Sequence, residues 1–332
     1  MYAKRFVKTT KYLLHYLYLA AHVFFGRVTK TNLAYLCKRA QTLNSHKLFE
    51  AACNRFAEKQ MFNYSASEKR FVAQGWGEGN VNVYRHIKTA NTGEHFEKVV
   101  FADSEDRANT ELYIMCYKDM VENSTITPPK VVNVEISQNL VIYHYEHIRV
   151  LSENAKFYNT KEKRNLLLYY SKEILKLNYN KKIAESYRGV NIYNVQIVKQ
   201  GLSYLRNSNI ESKALTNELN RISLHPRVIF SHGDLTVNNF NKFGYLWDWD
   251  RAGKYPIGFD IAWGVVSGLF NDHPISELYR ISLSLGLEIY AKEASQEHIK
   301  TNILVFVVIF YSRICFIRQL DCNGLDELIE LI

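Results

Sequence analysis

The chain has 332 residues, 47% of them hydrophobic and 23% charged, with a formal net charge of +9. That is enough apolar content for a buried core in about two soluble domains. Residues 1–70 hold 13 Lys and Arg against three acids, while the remainder is close to neutral, so the excess charge belongs to the N-terminal segment alone. No RNP1-type run or zinc-finger spacing is present, which turns the basic segment away from nucleic acid and towards a lipid surface or a protein partner. The five cysteines, Cys37, Cys53, Cys116, Cys315 and Cys322, are scattered without CxxC spacing. They argue for a reducing, cytoplasmic setting and against a disulfide framework or a structural zinc site.

Residues 5–60 have helical periodicity and no proline. Lys8, Lys11, His15, Tyr18 and His22 fall on one polar stripe of an otherwise greasy helix. Such a helix can pack on its own protein, or it can lie in a membrane interface and give residues 1–30 a peripheral contact at the inner face. The apolar run 12–26 is shorter than a membrane span and no cleavage site follows cleanly. Residues 303–311 are also too short and read as part of a buried core helix.

From residue 69 the pattern changes to strands. Short runs are expected at Arg70–Gln74, Val81–Lys88 and His95–Phe101, with Gly75, Gly77 and Gly79 after the first and turn residues between the others. A helix follows over Asp103–Val121, with Asp103 or Ser104 as its cap. Strands return at Val131–Ile136 and Leu140–Tyr145. Residues 152–225 are mainly helical. A strand at Arg227–Phe230 leads into a loop, a short hairpin lies near Asn241–Gly244, and residues 260–332 are helical again.

The loop after that strand concentrates the chemistry. Residues 230–263 read FSHGDLTVNNFNKFGYLWDWDRAGKYPIGFDIAW. Asp234 emerges just past an apolar anchor, where a carboxylate can orient an alcohol and take its proton. Asn239 and Asp248, the latter after an apolar strand Tyr245–Trp247, offer one neutral and one charged oxygen. That set suits Mg²⁺ with phosphate oxygens completing its shell. His232 is read as holding the loop backbone and Asp250 as a second metal contact or a substrate-facing charge. Asp260 either caps the next helix or bonds the loop backbone. Upstream, Gly75, Gly77 and Gly79 let the backbone approach an anion. Lys98 in the third strand can reach phosphate oxygens, and Glu111 in the following helix can pair with it.

Together these motifs resemble the aminoglycoside phosphotransferase and choline kinase family. His232-Gly233-Asp234-Leu235 with Asn239 matches its HGDLxxxN loop, and Asp248-Trp249-Asp250-Arg251-Ala252-Gly253 matches its acidic metal loop. Asp260-Ile261-Ala262 matches the helix start that follows. The match covers about residues 70–270. It departs in the GWGEG loop and in TVNN after Asp234, where Asn238 stands beside Asn239 as a rival ligand. The resemblance implies an α+β, two-lobed protein-kinase-like fold. Residues 69–148 would form a small antiparallel β N-lobe that binds nucleotide, and 149–332 a helical C-lobe, with 1–68 as a basic helical extension. It implies ATP and Mg²⁺ as cofactors, with adenine against a hinge near Tyr143 and Tyr145. The implied reaction is transfer of the γ-phosphate to a hydroxyl of a small molecule or glycan. A non-catalytic scaffold, or a kinase acting on membrane-linked glycan precursors or on protein, is the alternative. The motif does not name the acceptor.

Overall fold

The computed structural model describes residues 68–77, 80–89, 93–101, 105–136, 140–146, 155–208, 210, 212–224, 227–318, 320 and 324–332, with Leu17, Ala20 and Ala21. The expected basic extension over 1–68, with its membrane or packing role, and Gly79 lie outside the described residues. The chain divides into two compact units, Met1–Ala108 with Lys130–His147, and Asn109–Pro129 with Ile148–Ile332.

The first unit is built on a five-stranded antiparallel sheet in the order β1-β2-β3-β5-β4. The strands are β1 (Glu68–Gly77), β2 (Asn80–Thr89), β3 (Gly93–Phe101), β4 (Val131–Ile136) and β5 (Leu140–Glu146). The alternating pattern of Val81–Lys88 pairs antiparallel with β1 and β3. A strand order in which β5 sits beside β3 lets the last strand enter the sheet interior and leaves β4 on the edge. The exposed Val132, Val134 and Ile136 follow from that edge position. Val100, Val141 and Tyr143 form the buried core of the sheet, with Val131 and Tyr145 packed against it.

The second unit is helical. Its first segment belongs to α1 (Glu105–Asn123), which begins in the first unit. Residues from Asn109 onward are tied to the helical unit by specific bonds. The Tyr113 ring stacks 6.4 Å from Trp249, and the Thr125 N–H donates to Glu173 at 2.8 Å. The main helices that follow are α2 (Thr160–Leu177), α3 (Lys181–Ser186), α4 (Gln196–Asn207), α5 (Lys213–Leu224), α6 (Phe259–Leu269), α7 (Ile275–Tyr290), α8 (Gln296–Arg318) and α9 (Leu325–Ile329). A capping box starts α2: the Asn159 side chain accepts from Glu162 N–H, and the Glu162 carboxylate returns the bond to the cap N–H.

α8 is long and apolar enough to cross a membrane by length and composition, yet most of it is buried among α4, α6 and α7, as a core helix should be. Close packing against α4 requires Gly201, where a Cβ would stand 2.2 Å from the Ile309 carbonyl oxygen. Cys116 is a buried free thiol, whereas Cys315 is disulfide-bonded. Cys315 therefore departs from the expectation of isolated thiols.

Two short strands, β6 (Val228–Ser231) and β7 (Gly253–Pro256), pair antiparallel and carry the loop of interest between them. β7 has no counterpart among the expected elements. The strand expected at Tyr245–Trp247 is instead a pair of bridges, Thr127 to Tyr245 and Phe240 to Leu246. The chain from Asn239 to Asp248 is held back on itself by the Tyr170 hydroxyl, which donates to the carbonyls of Asn241 at 2.6 Å and Tyr245 at 2.9 Å. It has no length to spare for an extended strand.

Candidate active site

The site in the helical unit starts from backbone geometry. Gly233 has φ +78°, and a Cβ there would lie 2.1 Å from the Arg251 carbonyl oxygen, so only glycine fits the turn that delivers Asp234. Asp260, in the first turn of α6, is buried and reaches back to this turn. Its two carboxylate oxygens accept the N–H of His232 at 2.7 Å and of Gly233 at 3.0 Å. Of the two roles weighed for it, the geometry corresponds to bonding the loop backbone. No side-chain cap bond starts α6, whose cap is Gly258. Burial pushes the Asp260 carboxyl up to about 7, against the pull of those two N–H bonds.

His232 is fully buried beside Trp249. Its Nε2 lies 2.9 Å from the Trp247 carbonyl oxygen, and its Nδ1 accepts the Asp234 N–H at 3.3 Å. These contacts fit a neutral ring protonated on Nε2. Burial drives its pKa down to about 4, although the negative charges of Asp234 and Asp250 oppose that fall. The ring is thus a brace between the two halves of the loop.

The Asp234 carboxylate is held at one oxygen. The Trp263 indole N–H donates to Oδ1 at 2.7 Å, while the nearest Arg251 nitrogen is 3.9 Å from Oδ2. The side chain is 18% exposed, which leaves Oδ2 open to a second molecule. The Arg251 guanidinium is itself held firmly charged by Asp234, despite burial.

Asn239 is buried and its Nδ2 donates to the Asp234 carbonyl at 2.8 Å. Among the described residues its Oδ1 accepts nothing, so one oxygen is presented and one nitrogen is spent on the loop. Asn238 beside it is exposed. Asp248 sits in left-handed backbone, φ 64°, ψ 54°, the one non-glycine with positive φ among the described residues. Such a conformation costs on the order of 1–3 kcal/mol and persists where surroundings impose it. Here the adjoining Trp249 is buried in an aromatic stack with Phe230 and Tyr113, which fixes the turn. Asp250 turns its carbonyl to the Asn109 side chain at 2.8 Å, and its side chain is half-buried.

Asn239 and Asp248 are both oxygen donors, a set that fits a hard divalent cation. Among the described residues no three His, Cys, Asp or Glu side chains cluster as a metal cage. A cation whose remaining ligands are phosphate and water oxygens needs none.

In the first unit, Lys98 lies on β3 opposite Tyr84 and Tyr143 and is 1% exposed, an unusual burial for an ammonium. Tyr143 is buried in the sheet core and Tyr145 packs beside it. Gly75 and Gly77 fall within β1, opposite Asn82 and Asn80. Glu111 is exposed on α1 and belongs to the other unit.

Sequence reasoning did not assign roles to Trp263, Arg251 or Arg313. The Arg313 guanidinium lies 4.8 Å from the centroid of the Trp263 ring. A signal for Trp263 existed: it follows Asp260 by three residues and so shares that helical face. Arg313 lies far along the chain and carried none.

No protein-family model matches the chain, and no curated protein matches it in sequence. Solved structures do. Amicoumacin kinase hAmiN, in complex with AMP-PNP, Ca²⁺ and Ami, aligns with TM-score 0.54 at 15% identity, covering 82% of this chain and 88% of its own. APH(2")-IIia, in complex with GDP and kanamycin, aligns with TM-score 0.50 at 14% identity, covering 83% of this chain and 95% of its own. The chain therefore has the α+β, kinase-like fold of the aminoglycoside phosphotransferases, as the loop motifs led one to expect.

Proposed function

We propose that this chain is a phosphotransferase that moves the terminal phosphate of ATP to an alcohol hydroxyl of a small molecule or glycan. The observation that carries the reading is the Asp234 carboxylate, pinned at Oδ1 by the Trp263 N–H and open at Oδ2, with the free oxygen of Asn239 and the strained Asp248 on the same loop system. Proteins of this fold have been solved with GDP and kanamycin, and with AMP-PNP, Ca²⁺ and Ami, which supports the same assignment.

In this reading Asp234 Oδ2 orients the acceptor hydroxyl and takes its proton. The acceptor oxygen bonds to the γ-phosphorus as the bond from that phosphorus to the bridging oxygen breaks, and ADP leaves. Asn239 Oδ1 and Asp248 would hold Mg²⁺, whose charge offsets that of the phosphate oxygens when bound. Lys98 is assigned to phosphate binding, Gly75, Gly77 and Gly79 to the phosphate loop, and Tyr143 and Tyr145 to the adenine strand. His232 and Asp260 keep the Asp234 loop in shape, and Asp250 is a reserve charge for metal or acceptor.

The test is a screen of hydroxylated small molecules and glycans for Mg²⁺-dependent ADP release and a phosphorylated product. Transfer to at least one acceptor is expected. Binding of nucleotide with no transfer to any acceptor would favour the scaffold alternative, and labelling of added protein alone would favour a protein kinase. No activation segment is recognisable between Asp248 and Asp260, which counts against a protein kinase.

A further inference from the structure

The side chains that converge on Asp234 from the helices are cationic and aromatic. Trp263 of α6 donates to the Asp234 carboxylate. Over the Trp263 ring lies the Arg313 guanidinium of α8, 4.8 Å from the centroid. One turn and a half further along α8, Arg318 lies 4.9 Å from the centroid of Phe270, just past the end of α6, and bonds Asn271. Two guanidinium groups of one helix thus lie over aromatic rings, Trp263 of α6 and Phe270 just past its end, beginning beside the base of the proposed reaction.

Arg313 is oriented rather than neutralised. Its Nε donates to the Gln200 side chain at 2.9 Å, a neutral partner on α4. Among the described residues no carboxylate lies within ion-pair distance of it. Of the nearby acids, Asp234 takes the Trp263 N–H at Oδ1, and Asp272 lies 3.8 Å from Lys163. Burial pulls the Arg313 pKa down to about 10, and repulsion from Arg251 adds to that pull, while Asp234 opposes it. The group remains a cation at neutral pH, half-buried, with its two terminal nitrogens uncommitted. A guanidinium over an aromatic face and anchored at Nε keeps its two terminal nitrogens as a fork that matches a carboxylate or phosphate.

Resting on the phosphotransferase reading above, we infer that the acceptor is an anionic hydroxylated molecule whose carboxylate or phosphate is received by Arg313, with Arg318 adding to the field at the rim. A polycationic acceptor would instead meet two arginines beside its reacting hydroxyl and pay for their repulsion.

Four matched probes separate the possibilities: glucose, glucosamine, glucuronate and glucose 6-phosphate. Their binding to the full-length protein is measured by calorimetry, and their phosphorylation by Mg²⁺-dependent ADP release. Glucuronate and glucose 6-phosphate should bind roughly ten- to a hundredfold more tightly than glucosamine, as a charge-assisted bidentate contact requires. Whichever of the two binds more tightly identifies carboxylate or phosphate as the recognised group. Arg313→Gln should erase that preference, and Arg313→Lys should retain part of it, because charge survives and the fork does not. Both variants are checked for an unchanged thermal midpoint and ATP affinity, so that loss of fold is not mistaken for loss of recognition. Glucosamine binding as tightly as the anions, or an anion preference that survives Arg313→Gln, would overturn the inference. Lack of ADP release with every probe, despite tight binding of the anions, would count against the reaction and leave the anion site standing.

Discussion

Three side chains set the geometry of Asp234, and each does so through a different bond. His232 braces the loop across to Trp247, Asp260 holds two backbone N–H groups, and Trp263 fixes one carboxylate oxygen. The buried His232 and Asp260 respond to pH in opposite senses. His232 has a folded pKa of about 4, below its ordinary 6.5. The unfolded chain therefore binds the extra proton between those values, and the stability that His232 contributes is lost as pH falls from about 6.5 towards 4. Asp260, raised to about 7, keeps its proton longer in the folded state, so its contribution falls as pH rises from about 4 to 7. Comparing wild type with His232→Gln isolates the first effect, because Asp260 is common to both. The stability advantage of wild type over the variant should grow by about 3 kcal/mol between pH 4 and pH 7, read by urea unfolding at each pH. A constant difference across that range would mean the imidazole titrates normally in the fold.

At the scale of elements, the site depends on how closely α4, α6 and α8 approach one another. Gly201 permits the contact of α4 with α8, and α8 in turn brings Arg313 over Trp263. Gly201→Ala drives a methyl group into the Ile309 carbonyl and should lower stability by about 2 kcal/mol, measured as a shift in denaturant midpoint. An unchanged midpoint would show that the helices can separate without cost. The strands were legible in the sequence because period-two alternation and turn residues repeat within a few positions, and α1 because a capping residue and acids mark its first turn. The loop from His232 to Asp248 was legible because its chemistry is contiguous. β7 and the bridges at Tyr245 and Leu246 were not, since Gly253–Pro256 contains no alternating run and its pairing is fixed by contact with β6. Arg313 was illegible for a related reason: it reads as one more residue of a helix until its neighbour in space is known. The left-handed backbone at Asp248 likewise arises from the burial of Trp249 rather than from any local turn signal.

At the scale of the molecule, the chain separates a strand-built unit with a buried lysine from a helical unit with the carboxylate loops. In the proposed function the first carries phosphate binding and the second carries proton removal and metal binding. The charge distribution adds a contrast: the basic excess lies in residues 1–70, whereas Arg313 and Arg318 are set singly into a nearly neutral remainder. The proposal that these parts serve phosphoryl transfer rests on Asp234 acting as the base. The most direct measurement is a pair of constants for Asp234→Ala: the affinity for Mg²⁺–ATP by calorimetry, and the rate of phosphate transfer to the best acceptor. The expected result is an affinity close to wild type with transfer slowed roughly 10²–10⁴-fold, the range a positioned general base supplies. Transfer near the wild-type rate would contradict the account.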